Sequence, residues 1–287
     1  MNRREFLTGA AAGLSAAYLK PAALGATALD IPALTQKYKA TDTVVLGKTG
    51  IRTSRLAMGT GTIGSGGSSN QTRTNALPRL LLNGYDNGLL FFDTADSYGS
   101  HPDVAEALKH VSRDKVTVMT KCDSRDPKQA RADLDRYRRE LKTDYIDICL
   151  MHCLTEDDWT DRYRGVMDVF SEAKEKGIIR SHGVSCHSIG ALRAAAKSPW
   201  VEIDLVRLNP VGAFMDAEPA TVISVIKEMR DQGKGIVGMK ILGQGAMRTR
   251  QDDALRFALG SGVLDAFTIG AENAHEQSDL IRRISAA

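Results

Sequence analysis

Strand-like and helix-like segments alternate along this 287-residue chain from residue 55 to the end. Short apolar runs indicate buried strands, and stretches with apolar groups three and four residues apart indicate amphipathic helices. Eight such strand–helix pairs over about 230 residues match an α/β fold of the closed (β/α)8 TIM-barrel type in number and length. An open doubly wound sheet normally has a glycine-rich turn leading straight from its first strand into a helix, and the loop here is too long for that. The sequence therefore predicts a barrel.

A short N-terminal β-hairpin is predicted ahead of the barrel, over residues 43–53 with its turn near residues 48–50. The loop from Gly61 to Asn70 is rich in glycine and serine but lacks a phosphate-binding lysine, so we expect a mobile loop. No second-domain signal follows. We therefore assign residues 43–287 to one barrel domain, preceded by a loose linker over residues 29–42.

The first 28 residues have the order of an export signal. Arg3 and Arg4 precede a mildly apolar stretch rich in alanine and glycine, and small residues at positions 26–28 form a cleavage pattern. The paired arginines followed by Phe6 and Leu7 resemble the twin-arginine signals of bacteria. They predict contact with the twin-arginine export machinery and a periplasmic location. The alternative is an amphipathic first helix that stays on the protein.

Charge and hydropathy indicate which partners are not expected. The whole chain has a formal net charge of +3, and its first 28 residues carry three basic groups and one acidic group, so the remainder is at +1. A nearly neutral body gives no electrostatic reason to expect nucleic acid. No run of eighteen or more apolar residues occurs, so we expect no stable membrane insertion.

Polar side chains stand at the ends of three consecutive strand-like runs. Asp93 ends the run 89–92, and Tyr98 lies five residues further on in the next loop. Lys121 and His152 end the next two runs. Because the carboxyl ends of parallel barrel strands meet at one face, we expect these four residues to share one site there.

The four groups supply what is needed to protonate a carbonyl oxygen. A free phenol has a pKa of about 10, and a nearby ammonium lowers that pKa by stabilising the phenolate. A carboxylate keeps the ammonium charged, and an imidazole can hold a carbonyl oxygen or share the proton. Each residue alone has an ordinary structural explanation, such as a loop cap for Asp93 or a solvated ion pair for Lys121. Together they predict carbonyl reduction with hydride from a cofactor.

These stretches resemble the aldo-keto reductase family over about residues 43–285. The matching motifs are Phe92-Asp93-Thr94-Ala95 with Tyr98-Gly99, Met119-Thr120-Lys121, residues 141–147 with Met151-His152, and residues 46–50 with Met58-Gly59-Thr60. The resemblance implies a (β/α)8 barrel and NADPH-dependent reduction of an aldehyde or ketone to an alcohol. It also implies Tyr98 as the proton donor, Lys121 and Asp93 as the residues that tune it, and His152 as the residue that orients the carbonyl substrate.

The resemblance further implies cofactor contacts on the later strands, at Ser185, Cys186, Arg207, Lys240, Leu242, Gly243, Gly270 and Glu276. Three of these depart from the family pattern. Cys186 stands where asparagine is usual, Arg207 replaces a glutamine, and Glu276 lies near the usual arginine for the 2′-phosphate. A carboxylate there would repel a phosphate, so NADH is an alternative to NADPH.

The departures from the family pattern also motivate a second hypothesis. In it, the barrel has lost nicotinamide binding and acts as a sugar-binding or small-molecule-binding protein, or as a non-redox enzyme. Titration with NADPH and NADH discriminates between the two hypotheses, since the second predicts no binding of either.

Four cysteines lie on or next to the site strands: Cys122, Cys149, Cys153 and Cys186. Strand alternation predicts that all four point away from their site neighbours. One hypothesis is a disulfide or a metal site among Cys122, Cys153 and Cys186, which an oxidising compartment would permit. The other, which we favour because no CxxC spacing occurs, is that the four are small buried apolar groups and no metal is bound.

Overall fold

The computed structural model describes residue 34 and residues 36–287. The predicted export segment of residues 1–28 and the first part of the predicted linker lie outside the described residues. The end of that linker packs against the barrel, because Ala40 is buried and its carbonyl accepts a hydrogen bond of 2.9 Å from the Leu56 amide. This stretch is therefore part of the folded body rather than a loose linker.

Eight parallel strands form a closed barrel, which confirms the predicted fold class. The strands of the described residues are β1 (Thr43–Val45), β2 (Arg52–Ser54), β3 (Leu56–Gly59), β4 (Phe91–Asp93), β5 (Thr117–Cys122), β6 (Ile146–Leu154), β7 (Ile179–Cys186), β8 (Ile203–Arg207), β9 (Gly235–Met239) and β10 (Ala266–Ile269). From β3 to β10 each strand pairs with the next in the chain. The ring closes where β10 pairs with β3, with Phe267 opposite Leu56.

Helices follow the barrel strands and cover their outer face. They are α1 (Leu77–Asp86), α2 (His101–Leu108), α3 (Pro127–Leu141), α4 (Trp159–Arg162), α5 (Arg164–Glu175), α6 (Ile189–Lys197), α7 (Pro219–Asp231), α8 (Gln251–Gly260) and α9 (Ala274–Ala286). The chain leaves helical geometry between α4 and α5, where Tyr163 has a φ of −110°. Among the described residues, no helix combines the length and hydropathy needed to cross a bilayer.

Side-chain caps set the starts of two outer helices. The Asp126 carboxylate accepts a hydrogen bond of 2.8 Å from the Gln129 amide at the start of α3. The Ser188 hydroxyl accepts one of 3.0 Å from the Ala191 amide at the start of α6. Each cap satisfies an amide that the first helical turn leaves without a backbone partner.

The hairpin of β1 and β2 closes the lower end of the barrel, where the barrel strands begin. Its two strands pair antiparallel, as predicted. Leu46 and Ile51, from the turn region, are buried among the side chains that fill the barrel. Gly47 has a φ of +50°, and a Cβ there would lie 2.4 Å from the carbonyl oxygen of Gly233. The turn therefore requires glycine to approach the barrel wall this closely.

Two apolar layers divide the core. The inner layer fills the barrel and includes Phe91, Met119 and Leu150. The outer layer lies between strands and helices and includes Phe92 and Val118. Because successive residues of a strand point to opposite faces, membership of a layer shows which strand residues can reach the barrel mouth.

Candidate active site

Three of the four predicted site residues point into the upper end of the barrel. Asp93 lies two residues after Phe91, Lys121 two residues after Met119, and His152 two residues after Leu150, all of which belong to the inner layer. Residues two apart on a strand share a face. The structure therefore brings the three side chains to the same mouth.

Lys121 and Asp93 form a buried ion pair at the centre of this mouth. Lys121 Nζ lies 2.6 Å from Asp93 Oδ1 and donates a second hydrogen bond of 2.7 Å to the Thr94 carbonyl. The hydroxyl of Thr268 donates to the other carboxylate oxygen at 2.8 Å. Burial alone would lower the pKa of Lys121, but Asp93 and Tyr98 together outweigh burial, and the pKa is raised. The ammonium is therefore charged at neutral pH.

Tyr98 lies against this pair. It ends a short helical segment, Asp96–Tyr98, in the loop after β4. Lys121 Nζ is 4.8 Å from the centre of its ring, and the His152 ring centre is 5.9 Å away in an edge-on arrangement. Burial raises the pKa of Tyr98 and outweighs the opposing effect of Lys121, so the expected lowering is not found. The phenol is therefore protonated at neutral pH and available as a proton donor.

The glycine-rich loop after β3 packs directly on the Tyr98 ring. A Cβ on Gly61 would lie 2.3 Å from a Tyr98 ring carbon, and one on Gly64 would lie 2.6 Å from another. The Gly67 amide also donates a hydrogen bond of 2.9 Å to the Ser97 carbonyl. These glycines therefore let the backbone cover the phenol, a role that the sequence analysis did not predict.

An arginine on the outer helix α3 anchors the loop that carries Tyr98. Arg136 donates two hydrogen bonds to the Asp96 carboxylate, at 2.8 and 2.7 Å, and the Tyr137 hydroxyl donates a third at 3.0 Å. Bidentate arginine–carboxylate pairs fix orientation as well as distance. The position of Tyr98 thus depends on a contact made outside the barrel.

The same region gathers three side chains of types that bind metals, Asp96, His101 and Glu140. Arg136 already occupies both carboxylates through hydrogen bonds of 2.7 to 3.0 Å. His101 uses Nδ1 for Glu140 at 2.8 Å and Nε2 for the Thr120 hydroxyl at 2.7 Å. The cluster is a satisfied hydrogen-bond network, and the guanidinium takes the place that a cation would need.

His152 is held by a carboxylate that the sequence analysis did not identify. Its Nδ1 lies 2.8 Å from Asp123 Oδ1, two residues after Lys121 in the chain. Burial lowers the pKa of His152 and outweighs the opposing effect of Asp123. The imidazole is therefore neutral at neutral pH, with one of its two nitrogens committed to Asp123.

Three of the four cysteines lie in the outer layer, as alternation predicts: Cys122, Cys149 and Cys186. Cys153 is different. The pairing of β6 with β7 shifts register between Met151 and Leu154, Cys153 has a φ of +54°, and its Sγ lies 3.6 Å from His187 Nε2. The prediction that Cys153 points away from the site is wrong, because a strand irregularity breaks alternation. All four thiols are free.

The placement of Cys186 also corrects one predicted cofactor contact. Its side chain is fully buried in the outer layer, with Sγ 3.6 Å from Asp204 Oδ2. The thiol therefore faces the helices and cannot line the mouth. Ser185, one residue earlier, faces inward, and its buried hydroxyl has no hydrogen-bond partner in the described part of the chain. An unpaired buried hydroxyl in a mouth fits a ligand with a polar group such as a carboxamide.

Two cations stand at the ends of the next two strands. Arg207, the last residue of β8, donates from Nε to Asp216 Oδ1 at 3.0 Å. Lys240 follows β9, and its pKa is lowered by burial and then by the positive charges of Arg207 and Lys121. Asp216 balances the charge of Arg207, so Lys240 is the cation here without a carboxylate partner among the described contacts, and it suits an anionic group such as a pyrophosphate.

The remaining predicted cofactor residues lie in loops after β9 and β10. Leu242 and Gly243 belong to the loop after β9, where Gly243 has a φ of +55°. Gly270 directly follows β10, and a Cβ there would lie 2.3 Å from Thr62 Oγ1. The absence of a side chain at Gly270 therefore lets the loop after β3 pack against the end of β10.

Glu276 lies in the first turn of α9 and forms a reciprocal cap with Asn273. The Asn273 side chain accepts a hydrogen bond of 2.9 Å from the Glu276 amide, and the Glu276 carboxylate accepts from Asn273 Nδ2 at 2.8 Å and from the Glu272 amide at 2.9 Å. A second carboxylate, Glu272, accepts from Asn70 Nδ2 at 2.7 Å. Two carboxylates thus lie at the start of α9, where they would repel an anionic group.

Comparison with known proteins gives a consistent result. The sequence profile described as "Aldo/keto reductase family" matches residues 55–263. The chain is 26% identical to methylglyoxal reductase DkgA of Escherichia coli (strain K12) over 211 residues, which cover 69% of this chain and 74% of that protein. It is 27% identical to the NADH-specific methylglyoxal reductase of Escherichia coli (strain K12) over 188 residues, which cover 57% of each chain.

A solved structure shares the fold. The holo form of an aldo-keto reductase from Bacillus halodurans superposes with a TM-score of 0.70 at 20% identity, covering 86% of this chain and 92% of that one. The structural likeness supports the barrel architecture, and the sequence match identifies the family.

Proposed function

Because this chain belongs to the aldo/keto reductase family, we propose that it reduces an aldehyde or ketone to an alcohol with a nicotinamide dinucleotide, Tyr98 supplying the proton. The observation that supports this most strongly is the meeting of Tyr98, Lys121, Asp93 and His152 at one mouth. A protonated phenol, a charged ammonium and a neutral imidazole are there within reach of one bound carbonyl.

Each residue has a separate part in moving the proton. The Tyr98 hydroxyl donates a hydrogen bond to the carbonyl oxygen and gives up its proton as that oxygen becomes an alkoxide. The Lys121 ammonium, 4.8 Å from the ring centre, stabilises the phenolate left behind. Asp93 keeps that ammonium in place, and His152 contacts the substrate beside Tyr98. When bound, the dinucleotide supplies the hydride.

The residues that would hold the dinucleotide are Ser185, Arg207 and Lys240. The unpaired Ser185 hydroxyl suits the carboxamide, and the Lys240 ammonium, with the Asp216-paired Arg207 beside it, suits the pyrophosphate. Glu272 and Glu276 at the start of α9 disfavour a 2′-phosphate. We therefore propose NADH as the preferred reductant, in line with the relative named as an NADH-specific methylglyoxal reductase.

A combined binding and activity assay tests this function. Purified protein is titrated with NADH and with NADPH by fluorescence, and turnover is followed with methylglyoxal, which the names of several relatives suggest as a first substrate. We expect both dinucleotides to support reduction and NADH to bind at least tenfold more tightly. Folded protein that binds neither dinucleotide would contradict the proposal and favour a barrel without nicotinamide binding.

We also propose that residues 1–28 direct export by the twin-arginine route to the periplasm. The pattern of paired arginines, an apolar stretch and small residues supports this. Cell fractionation of the full chain tests it, with Arg3 and Arg4 both changed to lysine as the comparison. Export of the double variant at the unchanged rate, or retention of both proteins in the cytoplasm, would contradict it.

A further inference from the structure

We propose that Asp123 fixes His152 as a hydrogen-bond acceptor at the barrel mouth, so that the site selects carbonyl substrates carrying a hydroxyl group beside the carbonyl. Asp123 is a positioning residue in this proposal, since it acts through His152. The inference rests on the proposed function, in that the pocket must take a carbonyl compound. It goes beyond that function by naming the substrate class and the residue that determines it.

The first step concerns the proton on the His152 ring. An ionised carboxylate accepts hydrogen bonds and cannot donate them. Because Asp123 Oδ1 lies 2.8 Å from His152 Nδ1, the proton must sit on Nδ1. In the neutral ring the other nitrogen, Nε2, then carries only a lone pair. His152 in this form cannot donate a hydrogen bond to a carbonyl oxygen, which also has only lone pairs.

The second step concerns where Nε2 points. His152 shares the inward face of β6 with Ile148 and Leu150. In the described part of the chain no group is hydrogen-bonded to His152 Nε2. This atom is also absent from the buried side-chain atoms that lack a partner, so it keeps some accessible surface. The Tyr98 ring lies 5.9 Å from the imidazole and the His187 ring 6.4 Å. The free lone pair is therefore open to the same space as the phenol.

The third step is an internal precedent. His101 has the same pairing, with Nδ1 2.8 Å from the Glu140 carboxylate, and its Nε2 lies 2.7 Å from the Thr120 hydroxyl. With the proton on Nδ1, that hydroxyl donates to Nε2. Burial lowers the pKa of His101 as it does for His152, so both rings are neutral. The fold thus contains this carboxylate–histidine arrangement twice. At His101 a hydroxyl donor already occupies Nε2, and at His152 the Nε2 atom faces the barrel mouth without a donor.

A substrate can supply the hydroxyl donor that His152 Nε2 lacks. Its carbonyl oxygen accepts from the Tyr98 hydroxyl, and a hydroxyl on the neighbouring carbon donates to His152 Nε2. A ketone without that hydroxyl leaves Nε2 dehydrated and unpaired, which a buried site penalises. Hydroxyacetone and butanone differ in this respect while having the same number of heavy atoms, so they are suitable probes.

The test begins with the ring itself, in protein without dinucleotide. Nitrogen-15 NMR of histidine-labelled protein reports which ring nitrogen carries the proton, with the His152 signal assigned by its loss in His152→Gln. We expect the proton on Nδ1, a shift of the Nε2 signal with hydroxyacetone, and no shift with butanone. The His101 signal is the internal control, because its Nε2 is already occupied. A proton on Nε2, a doubly protonated ring, or equal responses to both probes would overturn the proposal.

The variant Asp123→Ala then tests the positioning role. Without the carboxylate the ring is free to place its proton on Nε2, so we expect that tautomer to grow. The preference for hydroxyacetone over butanone in kcat/KM should fall about tenfold, which corresponds to one hydrogen bond of about 1.4 kcal/mol. The control is Asp158→Asn, an exposed carboxylate in the loop after β6 whose side chain makes no cap hydrogen bond. An unchanged preference in Asp123→Ala would refute the proposal.

The two readouts separate this proposal from the proposed function. If NMR gives the expected tautomer and probe response but no carbonyl is reduced, the reductase assignment fails and the acceptor role of His152 stands. If carbonyls are reduced but the proton lies on Nε2, the reductase assignment stands and the acceptor role is refuted.

Discussion

The two ends of the barrel are built from the same strands but have opposite contents. At the lower end, the hairpin inserts Leu46 and Ile51 among apolar side chains, and both are almost completely buried. At the upper end, the inward positions hold Asp93, Lys121 and His152, which are also almost completely buried. One end therefore gains free energy from burial, whereas the other must compensate for desolvated charge.

This difference shows how the barrel separates stability from chemistry. Apolar burial at the lower end depends on volume and fit, and its side chains have no group that can bind or transfer a proton. At the upper end, stability depends on each charged group keeping its partner, because a buried charge without a partner destabilises the folded state. Substitutions at the lower end should therefore change unfolding without changing turnover. Substitutions at the upper end should change turnover, and also stability where they leave a buried charge unpaired.

The largest expected effect is on turnover at the upper end. In Tyr98→Phe the proton donor is lost while the ring that packs on Gly61 and Gly64 remains. We expect kcat to fall about 100-fold to 10,000-fold, the usual contribution of a positioned acid, with Tm unchanged. Steady-state kinetics and a thermal scan measure the two quantities. Tyr85→Phe on α1 is the matched control, and equal losses in both variants would contradict the assignment of Tyr98.

The next effect concerns the buried ion pair. Lys121→Met leaves the Asp93 carboxylate buried without its ammonium, so we expect the free energy of unfolding to fall by about 3 to 5 kcal/mol, along with loss of turnover. Adding Asp93→Asn removes the charge and should restore most of the stability without restoring turnover. Denaturant unfolding measures both variants.

The control for that prediction is Lys109→Met, which breaks an exposed pair with Glu106. Such pairs contribute about 0 to 1 kcal/mol, so its unfolding should hardly change. A loss of stability in Lys121→Met no greater than in Lys109→Met would show that burial does not distinguish the upper pair.

At the lower end, Leu46→Ala should destabilise the fold and leave turnover unchanged. Removing a fully buried leucine side chain costs about 2 to 5 kcal/mol of unfolding free energy. The neighbouring Val45 is 40% exposed, and Val45→Ala should cost less than about 0.5 kcal/mol. Denaturant unfolding and steady-state kinetics on both variants test this. A change in kcat/KM for Leu46→Ala would show that the two ends are coupled.

The last prediction concerns the dependence of stability on pH, which is gradual rather than abrupt. Burial lowers the pKa of His182 to about 4, whereas an unfolded histidine has a pKa of about 6.5. Between these values the unfolded chain binds a proton that the folded chain does not, so stability falls as pH decreases from 6.5 towards 4. The slope is at most about 1.4 kcal/mol per pH unit for this group.

His182→Phe tests that slope and keeps the ring that stacks on Trp200 with centres 4.3 Å apart. Unfolding free energies measured from pH 4.5 to pH 7 should then depend less steeply on pH, with turnover unchanged because His182 packs on the outer side of the barrel. An identical slope in both proteins would show that His182 is protonated in the folded state.

Much of the architecture could be predicted because it follows from short-range sequence patterns. Each apolar run and each amphipathic stretch identifies its own element, and the carboxyl ends of parallel strands must meet, so Asp93, Lys121 and His152 could be grouped without coordinates. The hairpin over residues 43–53 follows from its turn chemistry in the same way.

The contacts that support the site could not be predicted in this way. Arg136 lies on an outer helix and Asp123 in a loop. Nothing in the sequence around either residue indicates that it contacts a side chain on another element. The direction of the Cys153 side chain could not be predicted from strand alternation, because the pairing of β6 with β7 shifts register there. The loop containing Gly61 has the composition of a mobile segment, yet those glycines are what allow it to pack on Tyr98.

The closure of the barrel by β10 against β3 has a consequence for the order of events during synthesis. Phe267 pairs with Leu56 from the far end of the sequence, so the ring is incomplete until nearly the whole chain has left the ribosome. A nascent chain that stalls before β10 would expose the free edges of β3 and β9 to pairing with other chains. Premature termination should therefore yield aggregates rather than a smaller working enzyme.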